Sequence, residues 1–207
     1  MLTNYYRNQL IDNQMRGQAF TPPTTWYVGL LVAPAGARQN TRTYAVGNIM
    51  FVNCSDGAVH AYQCIVAGMS AASQPPGYTG AEGETVTDAV AQFTECSTAV
   101  RDGTFVECSY AGYFRVGVDA TMDNFSGTQG VGTTTASTGT TGESSNNNQI
   151  VFGSPTSGPS YVWAEGYFDF GVGGNLCIFG PLVVGKTINS GDAPPTVSAG
   201  ISVTAWG

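Results

Sequence analysis

Charge is what this chain has least of. Only 10% of its 207 residues are Asp, Glu, Lys or Arg, against about 25% in an ordinary soluble domain. There is one lysine, Lys186, and one histidine, His60. The seven basic residues are scattered singly and the net charge is -7, so nothing neutralises a phosphate backbone and direct nucleic-acid binding is not expected. No uninterrupted apolar run of about 18 residues occurs, which leaves no candidate membrane-spanning helix. The opening "MLTNYYRNQLIDNQMRG" lacks a basic stretch followed by an apolar one. No signal peptide is expected there, and folding in a cytoplasm is. The five cysteines (Cys54, Cys64, Cys96, Cys108, Cys177) form no C-x-x-C pair, and one histidine cannot complete a zinc set, so no metal or other cofactor is expected. Buried thiols are the plain reading. A disulfide such as Cys64–Cys96 is the alternative in an oxidising compartment.

What is present is 42% hydrophobic residues, enough for a core, in a background of 28 glycines and many Ser, Thr and Asn. One segment reads as a helix: Thr3 or Asn4 caps it, Gly17 ends it, and Leu2, Tyr6, Leu10 and Ile11 recur at helical spacing with Met15 beyond. It lies against a partner or against its own domain. After "FTPPT" the pattern turns to β. Strands are predicted at 25–33, 47–53, 59–67, 104–110, 113–120, 149–153, 160–171, 175–185 and 196–206, each rich in aromatic or β-branched residues and bounded by turn formers. Many short strands with almost no helix predict an all-β fold, a β-sandwich or jelly roll with a short N-terminal helix. Residues 121–148 are hydroxyl-rich and polar. They read as a long surface loop, or as an extended arm that orders against a neighbouring subunit.

Four patterns invite a chemical reading. "GPLVVGKT" (180–187) satisfies G-x-x-x-x-G-K-[ST]. Its interior is strand-like, however, and Gly191, Pro194 and Pro195 deny the helix whose N-terminus would hold a phosphate. Lys186 is expected at a strand end, facing solvent or a subunit contact. His60 in "GAVHAYQC" has no G-x-S-x-G serine to serve, so it reads as a packed or surface residue. Glu165 and Asp169 in "WAEGYFDFG" would share a strand face with Trp163 and Tyr167, which suits sugar binding or hydrolysis. The plainer alternative is an outward polar face alternating with inward Phe168 and Phe170. Asp123, Glu82 and Glu84 are hard ligands but lack calcium-loop spacing. No catalytic, cofactor or metal residue is assigned, and no enzyme is expected.

Three strings carry a resemblance. "LTNYYRNQLIDNQMRGQAFTPPTTWYVGLL", "STGTTGESSNNNQIVFGSPT" and "FDFGVGGNLCIFGPLVVGKTINSGDAPPTVSAG" resemble a family of small tailed-bacteriophage virion proteins, often named tail fibre or uncharacterised structural proteins. The resemblance covers about residues 2–34 and 104–206 and implies a β-rich structural protein without an active site. "YQCIVAGMSAASQPPGYTGAEGETVTDAVAQF" resembles a separate small β-module of phage virion proteins, with Ala89 standing where its turn often has glycine. The expected organisation is a main β-sandwich from residues 1–43 and 99–207, with residues 44–98 as an inserted module. The expected place is the virion, after synthesis in the bacterial host cytoplasm. The first functional reading is a capsid decoration or cement protein that docks on the major capsid lattice. The alternative is a tail component (tail fibre, collar or receptor-binding module). A third is a carbohydrate-binding module using Trp26, Trp163, Tyr78 and Trp206. In either virion reading the partners are other virion proteins, the major capsid protein or tail proteins, in a homo-oligomer with no nucleic acid and no membrane.

Overall fold

The computed structural model describes residues 1–201 and 203–205. Its helices are α1 (Asn4–Arg16) and α2 (Ser97–Arg101). The strands in the first half are β1 (Thr25–Val32), β2 (Thr43–Tyr44), β3 (Ile49–Asn53), β4 (Val59–Val66), β5 (Gly68–Met69), β6 (Thr85–Asp88) and β7 (Ala91–Glu95). Those in the second half are β8 (Val116–Asp119), β9 (Glu143–Ser145), β10 (Ile150–Val151), β11 (Ser160–Phe168), β12 (Leu176–Ile188), β13 (Thr196–Val197) and β14 (Val203–Ala205). Two four-stranded sheets run in the orders β12-β11-β1-β8 and β3-β4-β7-β6, and β2-β5, β10-β13 and β9-β14 pair two by two. Every ladder between these strands is antiparallel. The chain is an all-β protein with a short N-terminal helix.

Alternation along β1 builds two cores at once. Trp26, Val28 and Leu30 point to one face, and Tyr27 and Leu31 to the other. The first face is closed by Tyr6 of α1, by Phe20, and by Ile150, Phe152 and Val197 from β10, its outgoing chain and β13. The second face meets the other sheet, where Leu31, Trp163, Phe168, Leu176 and Phe179 pack on Phe51, Val59 and Ala61. The far side of that sheet carries a third core of Met50, Val52, Tyr62, Cys64, Val86 and Phe93, closed by Tyr44 and Tyr78. Burying each large apolar side chain contributes about 1.5–3 kcal/mol.

One glycine pair is dictated by its surroundings. Gly29 faces Gly166 across the β1–β11 ladder. A Cβ on Gly29 would lie 2.9 Å from both the Phe168 ring and the Tyr113 hydroxyl. The Phe168 ring fills the space the two side chains leave, and the Arg115 guanidinium stacks on it at 3.4 Å. Arg115 is fixed by a 2.7 Å ion pair to Glu107, which also accepts from the Tyr113 hydroxyl at 2.8 Å.

The helix is capped by Thr3, whose side-chain oxygen accepts from the Tyr6 amide while its hydroxyl donates to the Leu176 carbonyl at 2.7 Å. Gly17 closes it in the left-handed conformation at φ 67°. The helix therefore docks on its own sheet. Only Tyr6 of its apolar face is buried, and Ile11 and Met15 stay exposed, Met15 at 80%.

Several predicted strands shift. Residues 104–110 form no strand; they follow the edge of β1 through single hydrogen bonds, Val32 amide to Val106 and Cys108 amide to Leu30. The 113–120 strand shortens to Val116–Asp119, and the 160–171 strand stops at Phe168. With the strand ended, Phe170 is not inward: it is 62% exposed, whereas Phe168 is fully buried. The 175–185 strand continues to Ile188, and the 196–206 strand divides into β13 and β14 around a turn at 198–201. Residues 121–148 do not extend away as an arm. They fold back on the domain through β9, which pairs with β14, and the Asn146 amide, which donates to the Ser198 carbonyl at 2.9 Å, and are closed on themselves by a bridge between Phe125 and Asn146.

Candidate functional site

The sequence-derived candidates do not converge. "GPLVVGKT" lies inside β12, with Lys186 opposite Val162 and exposed. Among the described residues no helix follows it, so no backbone cradle for a phosphate forms there. Trp163 is 2% exposed in the core between the sheets and offers no surface to a sugar. The register shift between Val162 and Ala164 turns it there, away from the face that Tyr167 occupies. Glu165 and Asp169 line different pockets. Asp169 is taken up structurally: it accepts from the Asn175 amide at 2.6 Å and from the Tyr5 hydroxyl at 3.3 Å. Tyr78 is buried at the back of the third core. Trp206 lies outside the described residues. Glu82 pairs with Arg101, Glu84 accepts from Tyr62 and Thr79, and Asp123 sits in a different loop, so the three hard ligands do not meet. Among the described residues no group of His, Cys, Asp and Glu could hold a metal. All five cysteines are free and buried, so Cys64 and Cys96 are not bridged.

His60 is buried between two carboxylates. Its Nε2 lies 2.8 Å from Asp56 and its Nδ1 3.2 Å from Glu95. Ser97 donates to Glu95 rather than to the imidazole, so no nucleophile is activated. Burial opposes the imidazolium, but hydrogen bonds to Glu95 and Asp56 outweigh it and raise its pKa above 6.5. A raised pKa gives stability that is full below the unfolded value and is lost as pH rises through the folded one. Thermal stability should therefore fall as pH rises through the ordinary histidine range and above it, and His60→Gln should flatten that slope, as differential scanning calorimetry would report.

One cleft does combine groups suited to a ligand. It has a volume of about 310 Å³ and lies between the β12-β11-β1-β8 sheet and the folded-back 121–148 segment. Trp26 of β1, Tyr167 of β11 and Phe125 form its aromatic side. The Trp26 and Tyr167 rings meet edge to face at 6.3 Å, and Phe125 tilts on Tyr167 at 6.3 Å. Hydroxyls of Thr121, Ser126, Thr135, Ser137 and Ser144 line the opposite side, and among the described residues no charged side chain borders it. The hydroxyl side is held by its own polar groups. Ser144 donates to the Ser126 carbonyl at 2.8 Å, Gln129 to Ala136 at 2.7 Å, and Asn147 to Met122 and Thr133 at 3.1 Å. Of the described aromatics suggested for sugar contact, Trp26 alone is in this cleft. The sequence did hold a signal for the rest: Met122 and Phe125 are apolar residues at the root of an otherwise hydroxyl-rich segment.

No curated protein matches the chain. A family model, described as podophage GP4 fiber I protein gp80, matches in two overlapping segments, residues 1–98 and 84–204. These span both four-stranded sheets, α1 and the segment that walls the cleft. The chain belongs to this podophage GP4 fiber I protein gp80 family, a family of phage fibre-type structural proteins.

Proposed function

We propose that this protein is a component of the phage tail fibre apparatus and acts by assembly rather than by catalysis. The family match carries this reading, because a fibre protein is what the matched family is named for. It favours the tail alternative over the capsid-decoration role that is the first reading of the sequence. The surface agrees with an assembling role. Val172, Val183 and Val184 are each more than 70% exposed, on the turn after β11 and in the middle of β12, where apolar side chains gain by being covered. Other virion proteins, in a homo-oligomeric arrangement, are the partners that fit, and the virion is the place.

Residues 44–98 act, in this reading, as a module inserted into the main β-sandwich of residues 1–43 and 99–207. Strands β3, β4, β6 and β7 form one sheet of their own, and β3 is tied to the entering chain by a bridge between Phe51 and Ala37. Arg38, on the chain entering the module, is clamped by Asp88 inside it at 2.6 Å.

Counting copies in purified virions by quantitative mass spectrometry tests the proposal. A fibre component in a closed symmetric tail assembly is expected at about a dozen to a few dozen copies per particle. Hundreds of copies, in simple proportion to the major capsid protein, would return the protein to the capsid surface.

A further inference from the structure

We propose that the cleft between the sandwich and the 121–148 segment binds a neutral saccharide. The proposal gives the fibre reading a ligand, and rests on that reading only for its biological setting. On the aromatic side the half-buried Trp26 and Phe125 present ring surface, with Tyr167, 5% exposed, packed behind them. The C–H faces of a sugar ring bury well against such a wall, while its hydroxyls need donors and acceptors at the edges. Thr121, Thr135 and Ser137 supply them from the exposed rim. A purely apolar ligand would leave those hydroxyls without a use. An anionic one would find no counter-charge in the lining and a protein of net charge -7 around it. At about 310 Å³ the cleft sits at the small end of the roughly 300–1,000 Å³ range of ligand sites, which suits a short oligosaccharide end. The wall of hydroxyls is already braced internally by Ser144 on Ser126 and Asn147 on Thr133 and tied to the domain by Asn146 on Ser198, so little ordering remains to oppose binding.

The test is a titration of the full chain with a panel of neutral disaccharides (gluco, galacto, manno and N-acetylhexosamine types) and one glucuronate-containing disaccharide. It is read by saturation-transfer NMR and tryptophan fluorescence. At least one neutral disaccharide is expected to bind with Kd of about 1 mM or tighter, and the glucuronate compound not to bind. Trp26→Ala should weaken binding at least about tenfold. Trp26 also packs on Tyr6, at 5.7 Å between rings, so a second variant is needed. Ala136→Trp fills the cleft from its exposed rim, and should abolish binding while leaving the melting temperature unchanged. The idea fails if no neutral disaccharide binds at about 10 mM, if the acidic one is preferred, or if binding survives Ala136→Trp. A concentration-dependent dimer that Ala136→Trp disrupts would give the cleft to a second copy and also overturn it. Virion copy number is read separately, so a fibre protein that binds no sugar and a sugar binder that is not in the fibre give different results.

Discussion

Replacing Trp163 with alanine is expected to cost about 3–5 kcal/mol, the range for a large aromatic removed from a packed core. In a chain of this size that corresponds to a drop of roughly 6–20 °C in melting temperature. The indole is 2% exposed and sits where the two four-stranded sheets share a core with Leu31, Phe51, Phe168 and Phe179. The adjoining strands are fixed by their ladders, so the hole cannot collapse freely. Equilibrium denaturation by urea would measure the loss. Saccharide binding, measured well below the lowered transition, should change by no more than about twofold, because Trp163 does not line the cleft. A Trp163→Ala protein of ordinary stability that had lost sugar binding would overturn both the core assignment of Trp163 and the placement of the saccharide in the cleft.

The second large effect is expected at Asp88. Its carboxylate is fully buried and accepts from Arg38 at 2.6 and 2.9 Å, from the Ala71 amide at 2.8 Å and from the Tyr78 hydroxyl at 2.9 Å. Burial alone would raise its pKa; the hydrogen bonds from Arg38, Ala71 and Tyr78 outweigh that and lower it. Asp88→Ala leaves the Arg38 guanidinium, 5% exposed, without its counter-charge and strands two further donors. Breaking one side of such a pair costs about 3–5 kcal/mol, whereas replacing both by apolar residues can be nearly neutral. If residues 44–98 are a cooperative unit of their own, hydrogen exchange should show protection lost first in β3, β4, β6 and β7, with β1, β11 and β12 little affected. Uniform loss across all strands would count against the inserted-module reading. The native pair contributes stability above the ordinary aspartate range, and loses it as pH falls through the lowered pKa.

Some of this fold was legible because local chemistry and tertiary structure agree. Thr3 and Gly17 delimit α1, and the apolar runs around Val28, Val52, Ala61, Val162 and Phe179 each became a strand. Strands β6 and β7 were missed because Asp88, Ala89 and Ala91 interrupt the β-branched and aromatic residues of "TVTDAVAQF". The turn between them is Ala89–Val90, without the usual glycine, and Ala89 carries the positive φ of 58° itself. The 104–110 run had strand composition but only two single hydrogen bonds from β1 to hold it. Residues 121–148 read as loop or arm because their order comes from Asn and Thr side chains bonding to distant carbonyls, which has no periodicity to detect. The cleft was invisible for the same reason. Trp26, Phe125 and Tyr167 are far apart in sequence, and only the sheet register and the fold-back bring them to one wall.

The docking of α1 on β12 also sets an order of events during synthesis. Thr3 bonds to Leu176 and Cys177, and β1 needs β11 as its ladder partner. A ribosome adding about 5–20 residues per second needs roughly 7–30 s to pass from the end of β1 to the start of β12. Throughout that interval the first helix lacks its docking strand, and β1 has no ladder partner until β8 emerges and lacks β11 until residue 160 is passed. The hairpins of β3, β4, β6 and β7 close over short separations and can form as they emerge. A nascent chain of this protein thus carries a finished sheet ahead of an unpaired edge, and slowing translation after residue 95 should lower the yield of folded protein.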